Sequence, residues 1–243
     1  MRTLWMVTMG IVLSAAAGAW AQVSITACGQ TVGEGEQGVV DADLTCPTGQ
    51  GTFVVAVENG GSLDLAGHTL AGARTGIRCT RRCTIGSTGT PGTIQDTEVT
   101  VGAGIAAVTD GGRVTLSNLV LINHSIAVVT DSATGKIYAT DLTLTNNAIG
   151  MQARKIIITG LTASGNYNVA QSRKTVLEDS TITASLNYAL QGRTVSLRNS
   201  TVTGSGGGID LLTERRPRVF GSTCDVSRKL PNPTETWGVC QND

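Results

Sequence analysis

Large aromatic side chains are scarce in this 243-residue chain, at 3% of all residues. A globular domain of this length normally fills its core with more large rings. We therefore expect an interior of Val, Ile, Leu, Ala and Thr, which fit narrow, regularly stacked strands. This composition argues against an ordinary mixed core and favours a repetitive β architecture.

The chain has no excess of positive or negative charge, because 18 Lys and Arg residues are balanced by 18 Asp and Glu residues. Nucleic-acid binding needs a basic surplus, so we expect no nucleic-acid partner. Apolar runs of membrane-spanning length are also missing beyond the N-terminus. We therefore expect no membrane insertion of the mature chain.

The segment 1–21 has the pattern of a secretory signal peptide. A positive start precedes an apolar stretch at 4–17, too short to span a bilayer, and positions 19–21 (Ala-Trp-Ala) offer a cleavage site. A short membrane anchor is the alternative, although nothing after it resembles a stop-transfer helix. We expect residues 22–243 to be secreted or periplasmic.

All six cysteines lie after that cleavage site, which suggests disulfide bonds in an exported chain. The sequence leaves the connectivity open, and proximity along the chain favours three pairs: Cys28–Cys46, Cys79–Cys83 and Cys224–Cys240. The first and last would each contribute about 3 kcal/mol in the chain-entropy model. A zinc site of Cys79 and Cys83 with His68 or His124 competes, but its spacings do not suit zinc, so we expect no metal.

One pattern recurs five times between positions 113 and 212. Small or polar residues mark the same corner of each repeat, at Asn118, Asp141, Gly160, Asp179 and Asn199. A period near twenty built from short β-type runs is typical of a solenoid. Asn, Asp and Gly tolerate the left-handed backbone that such corners need, so we expect this column to be structural.

Each repeat contains three strand-like runs, such as KIYAT, LTLTN and AIGMQ in the second repeat. Three short strands in each repeat of this length predict an all-β parallel β-helix of about seven to eight coils. An α/β alternation competes, but no helical period is long enough to cross between parallel strands. Apolar alternates should point inward: Ile137, Leu142, Leu144, Ile149 and Met151.

We expect a single domain with a disulfide-bearing cap at each end. Residues 22–51 form an irregular, strand-rich cap, residues 52–212 form the coils, and residues 213–243 form the second cap. Such caps cover the unpaired strand edges that would otherwise pair with other chains.

The segment 63–70, LDLAGHTL, follows the Cys28 and Cys46 opening. It resembles the N-terminal coils of bacterial right-handed parallel β-helix repeat proteins of the pectin-lyase-like fold. The resemblance implies right-handed coils, in which this segment marks a corner. That fold hosts pectate lyases, polygalacturonases, alginate epimerases, phage tailspikes and adhesins, so the fold alone does not give a reaction.

Catalytic motifs of those enzymes are missing from the chain. The hydrolases carry N-T-D, D-D and G-H-G, the epimerases carry D-P-H-D, and only the segment 67–69 (Gly-His-Thr) comes near one of these. A β-helix site can still be assembled from neighbouring coils. We expect His68 and His124 to be structural. Asp41 and Asp43 could share a cation, although turn formation explains them equally well.

A second corner predicts a stacked amide ladder. Asn123, Asn146 and Asn166 recur there, and Asn187 is shifted by one position. Each side chain is expected to bond to the coils above and below. Ligand binding by this column is a lesser alternative.

A basic column recurs once in each of three successive repeats and is the candidate binding site. Its members are Gln152, Arg154, Lys155, Gln171, Arg173, Lys174, Gln191 and Arg193. Lys136 precedes them, and Arg215 and Arg216 follow. Stacking would place these side chains about 5 Å apart per coil. The column is either a solvated corner that discourages association or a track for an acidic polymer such as a uronate glycan, because arginine suits carboxylates.

These observations predict an exported, non-catalytic β-helix protein that interacts with acidic polysaccharide and needs no cofactor. The alternative is a polysaccharide lyase or epimerase acting on uronate polymers, with Arg173 or Lys174 as general base and Ca²⁺ as cofactor. A structural spacer without a ligand is the third interpretation.

Overall fold

The computed structural model describes residues 22–47, 53–72, 75–96, 103–107, 112–183 and 185–243. The expected signal peptide lies outside the described residues. Every regular element in this part of the chain is a β-strand, and none of its segments is a helix that could cross a membrane.

The described residues form 23 strands. In chain order they are β1 Gln22–Ile25, β2 Gln30–Val32, β3 Gln37–Val40, β4 Leu44–Cys46, β5 Phe53–Val57, β6 Ser62–Asp64, β7 Thr69–Gly72, β8 Thr75–Cys79, β9 Arg82–Gly86, β10 Gly92–Gln95, β11 Ala103–Ala107, β12 Arg113–Ile122, β13 Ile126–Val129, β14 Lys136–Thr145, β15 Ile149–Ser164, β16 Asn168–Glu178, β17 Thr181–Thr183, β18 Tyr188–Arg198, β19 Thr201–Thr203, β20 Ile209–Thr213, β21 Arg218–Phe220, β22 Thr223–Cys224 and β23 Ser227–Lys229.

The ladders between these strands are parallel and build a β-solenoid of about eight turns, to which short strands at both ends add further rungs. The chain visits three sheets in turn. The first sheet runs through β2, β5, β8, β11, β13, the starts of β15, β16 and β18, β20 and β23. The second runs through β1, β3, β6, β9, the starts of β12 and β14, the middle of β15, the ends of β16 and β18, and β21. The third runs through β4, β7, β10, the ends of β12, β14 and β15, β17, β19 and β22.

The interior is filled by stacked aliphatic side chains. Ile137, Leu142, Leu144 and Met151 are fully buried, as predicted from the alternation along their strands. The prediction is wrong for Ile149, which is only half-buried. The corner before this residue turns the two residues after it, rather than Ile149 itself, towards the interior.

The five predicted corner residues all have the left-handed backbone that the sequence pattern required. Their φ values are 54°, 51°, 74°, 49° and 47° for Asn118, Asp141, Gly160, Asp179 and Asn199. Each stands between a second-sheet strand and a third-sheet strand. The period near twenty is therefore the length of one coil.

The three expected disulfides are present. Their Cα–Cα distances are 5.8 Å for Cys28–Cys46, 6.0 Å for Cys79–Cys83 and 4.9 Å for Cys224–Cys240. The zinc alternative at Cys79 and Cys83 is therefore wrong, because each sulfur is already bonded to the other.

The amide ladder exists, but two of its three expected members are displaced by one residue. Asn123 and Asn146 have φ values of 62° and 54° and turn the chain themselves. The residues after them, His124 and Asn147, point inward and stack with Asn166. The physical reason is that the left-handed residue forms the corner, which leaves its successor facing the interior.

Candidate binding surface

All eight predicted binding residues lie along one edge of the solenoid, where the first sheet passes into the second. Gln152, Gln171 and Gln191 are in register on adjacent strands, and so are Lys155 and Lys174. Arg154, Arg173 and Arg193 stand between these two rows, at matching positions on successive coils. Neighbours within a row are separated by the interstrand distance of about 4.8 Å.

The row of Lys155 and Lys174 is longer than the sequence suggested. Strand pairing continues it through Lys136, Arg113 and Arg82. The sequence did not identify Arg82 and Arg113 as members of this row, because their spacing is irregular. Many more residues separate Arg82 from Arg113 than separate Arg113 from Lys136, so no constant period connects them. A basic residue opening an alternating strand, in RCTIG, RVTLS and KIYAT, is the signal that could have identified them.

We call these side chains the basic edge: Arg82, Arg113, Lys136, Arg154, Lys155, Arg173, Lys174 and Arg193. Among the described residues, only Arg193 of this set has a carboxylate within ion-pair distance, with its Nε 3.7 Å from Oε2 of Glu214. The other members of the edge are cations without an acidic partner in that part of the chain. A stack of unneutralised like charges is costly for the isolated protein and favourable for binding an anion.

An aromatic ring separates two of these cations. The Cζ of Arg113 lies 4.6 Å from the centroid of the Tyr138 ring, and the Nζ of Lys155 lies 5.6 Å from it. Tyr138 occupies the outer face of the second sheet, on the strand between those of the two basic residues. These cation–π contacts hold both side chains against the sheet.

Two shallow depressions lie at the C-terminal end of the basic edge. One, of about 300 Å³, is lined by Gln171, Arg173, Gln191 and Arg193 together with Glu214. The other, of about 350 Å³, lies on the adjoining face of the second sheet. Its lining includes Lys174, Thr194, Arg215, Arg216 and Arg218.

Salt should stabilise the free protein, because the unpaired cations repel one another. Screening lengths fall from about 30 Å at 0.01 M salt to about 10 Å at 0.1 M. We expect the unfolding temperature to rise with NaCl over this range, and to rise less in a Lys155→Ser, Lys174→Ser double variant. Thermal unfolding followed by circular dichroism measures both. A fall with added salt in the unmodified protein would contradict the assignment of uncompensated repulsion.

The LDLAGHTL segment is a corner, as its resemblance implied. Ala66 and Gly67 have φ values of 50° and 84°. Asp64 accepts hydrogen bonds from the backbone N–H of Ala66 at 2.8 Å and of Thr88 at 3.0 Å, and from the Thr88 hydroxyl at 2.8 Å. Partial burial raises the pKa of Asp64, but these bonds outweigh it and the net pKa is lowered. The carboxylate therefore ties two coils together.

The remaining candidates have structural contacts. Asp43 accepts a 2.8 Å hydrogen bond from the backbone N–H of Thr69 and lies 3.3 Å from Nδ1 of His68, and both contacts lower its pKa. Asp41 accepts a hydrogen bond from the Ser24 hydroxyl instead, so the two carboxylates have different partners.

His124 is 3% exposed, and its Nε2 lies 2.9 Å from the Ile94 carbonyl oxygen. Burial lowers the pKa of His124, which favours a neutral ring that donates this bond.

The described ranges contain no group of three or more His, Cys, Asp or Glu side chains arranged to hold a metal ion. Arg173 and Lys174, the general-base candidates of the lyase alternative, are both exposed on the edge.

Comparisons of the chain with protein-family models, curated proteins and solved structures find no match.

Proposed function

We propose that the basic edge binds an acidic polysaccharide lengthwise, without catalysis. The observation that supports this most is the register-continuous row of Arg82, Arg113, Lys136, Lys155 and Lys174, none of which is paired with an acid among the described residues. The row repeats a positive charge about every 4.8 Å. That distance is comparable with the rise of one sugar unit in an extended polyuronate, which carries one carboxylate on each unit.

The arginine row supports a carboxylate ligand in particular. Arg154, Arg173 and Arg193 present guanidinium groups, whose planar forks match carboxylate geometry. The neighbouring Gln152, Gln171 and Gln191 add amide donors and acceptors that suit sugar hydroxyls. The overall charge balance of the chain continues to argue against nucleic acid as the partner.

An exported location fits such a ligand. Three disulfides are typical of chains that fold in an oxidising compartment, and the expected signal peptide would lead to the periplasm or the exterior. We also propose right-handed coils and kinship with bacterial pectin-lyase-like repeat proteins, on the basis of the LDLAGHTL corner and the parallel solenoid.

The test compares residues 22–243 with a triple variant, Arg154→Ser, Arg173→Ser and Arg193→Ser, in calorimetric titrations with polygalacturonate and alginate. Exposed ion pairs contribute about 0.2–1 kcal/mol each, so we expect a loss of about 3- to 100-fold in affinity. Binding of the unmodified protein should also weaken as salt is added.

The matched control is Arg198→Ser, at the corner between the second and third sheets, and it is compared with the single variant Arg193→Ser. The change in net charge is the same, and each of these arginines has its Nε 3.7 Å from a glutamate oxygen. Arg198→Ser should keep most of the affinity. Equal binding by the unmodified protein and the triple variant, or an equal loss in Arg193→Ser and Arg198→Ser, would overturn the proposal. Release of unsaturated products from either polymer, with or without Ca²⁺, would overturn its non-catalytic part.

A further inference from the structure

The outer face of the third sheet carries a regular array of hydroxyl groups on four consecutive coils. Each coil contributes two outward residues that flank one buried aliphatic residue, which is Leu144, Ala163, Ile182 or Val202. The outward pairs, here called the threonine array, are Thr143 and Thr145, Thr162 and Ser164, Thr181 and Thr183, and Thr201 and Thr203.

Strand pairing fixes the array in two dimensions. Thr143, Thr162, Thr181 and Thr201 are paired in one unbroken row. Thr145, Ser164, Thr183 and Thr203 are paired in the second row. Neighbours within a row are about 4.8 Å apart, and the two rows are about 6.7 Å apart, twice the rise per residue.

The hydroxyl groups of the array are largely free of hydrogen bonds to other described residues. In the described part of the chain, Thr201 is the only array member whose side chain bonds to protein, at 3.3 Å from the Thr223 hydroxyl. Threonine is stiff about its first side-chain torsion because it is β-branched. Its hydroxyl and methyl groups are therefore held in place before any ligand arrives, which lowers the entropy cost of binding.

Charge is excluded from the array, and this separates it from an ordinary solvated surface. No array position is charged, and the rows continue in register through Thr93, Gln95, Val120, Ile122 and Thr223, which are also uncharged. The second sheet, one corner away, carries Lys155 and Lys174 at comparable positions. Soluble β-sheet surfaces normally mix charges to stay apart, so a face without them favours an uncharged ligand.

We propose that the threonine array binds ice. The surface of ice is itself a regular two-dimensional array of water oxygens, so a grid of hydroxyl groups with constant spacings of about 4.8 Å and 6.7 Å is the kind of surface that can engage it. Ordered hydroxyls can take lattice positions while the methyl groups hold the water between them. Each contact is weak, so a ligand with the same two-dimensional period is needed to engage all of them together. This site is independent of the basic edge, which lies on the opposite side of the second sheet.

The experiment places one bulky ring on either side of the Gly160 corner of β15. Thr162→Tyr interrupts the centre of the array, whereas Thr159→Tyr adds the same side chain to the second sheet. Thermal hysteresis and partitioning into a growing ice front are measured for both variants and for the unmodified protein. We expect both signals in the unmodified protein and in Thr159→Tyr, and their loss in Thr162→Tyr.

Thermal unfolding shows whether each variant folds. If Thr162→Tyr does not, Thr183→Tyr, at an exposed position of the other row, replaces it with the same expected loss. Exclusion of the unmodified protein from ice would overturn the proposal, and so would equal ice binding by all variants. Binding to microcrystalline cellulose or chitin with none to ice would also overturn it, because the array would then match a crystalline glycan.

Discussion

Replacing Asn166 with alanine is expected to lower the free energy of unfolding by about 3–5 kcal/mol. Asn166 is 0% exposed. Its Oδ1 accepts hydrogen bonds from the backbone N–H and the side-chain Nδ2 of Asn147, at 3.0 and 2.9 Å. Its Nδ2 donates to the carbonyl oxygens of Leu144 and Ser164, at 2.9 and 3.0 Å.

The cost is high because the partners of the lost amide stay buried. A buried donor or acceptor left without a partner costs about 1–3 kcal/mol, and Asn166→Ala orphans several of them at once. The substitution also affects the next coil, because Asn166 orients the Asn147 side chain. The Oδ1 of Asn147 accepts a hydrogen bond from the backbone N–H of His124 at 2.9 Å. Chemical denaturation of residues 22–243 measures the change.

Asn59→Ala is the matched control for this substitution. It removes one amide whose Nδ2 donates to Glu34 at 3.0 Å in an exposed position. We expect a change within about 0.5 kcal/mol there. Similar costs at Asn59 and Asn166 would show that the buried ladder does not stabilise the solenoid.

Gly72→Ala is the second substitution with a large expected effect, at about 2–5 kcal/mol of destabilisation. Gly72 has a φ of 75°, where a side chain is strained. A Cβ at this position would also lie 2.0 Å from the carbonyl oxygen of Cys46. That carbonyl cannot easily withdraw, because Cys46 pairs with Gly72 in the sheet and is bonded to Cys28.

Gly208→Ala separates the two causes of this cost. Gly208 has a φ of 68°, but nothing lies within 4 Å of a Cβ built there. The control carries only the left-handed strain, about 1–2 kcal/mol. Denaturation midpoints of the two variants give the difference, and an equal loss of stability would mean that the Cys46 carbonyl moves aside at no cost.

The fold was predictable from the sequence because its repeat is marked by residue types that favour one uncommon backbone conformation. Asn118, Asp141, Asp179 and Asn199 stand where the backbone is left-handed, and Asn and Asp are the side-chain-bearing types that tolerate that conformation best. The ladder was displaced by one residue at Asn146 and Asn147 because two adjacent asparagines suit either role. Propensity alone does not say which of them turns the chain and which points inward.

The proposed binding surfaces were less predictable, because they depend on register between coils of unequal length. Arg82 joins the basic edge only after strand pairing aligns it with Arg113 across an unusually long coil. The threonines of LTLTN, STITA and STVTG are visible in the sequence, but strand propensity accounts for threonine in any strand. Only the alignment of successive coils shows that the hydroxyl-bearing residues form one array.

Because successive coils keep the same register, coils can be added to the sequence without changing the packing of the others. Each turn of a solenoid contacts only its neighbours, so stability grows by roughly equal increments as turns are added. Duplicating the unit between Gly160 and Asp179 would lengthen the basic edge and the threonine array by one rung each, without redesigning either surface. Selection for tighter binding to a long or extended ligand could therefore act by duplicating coils. The number of binding groups would then increase, while their chemical type stayed the same.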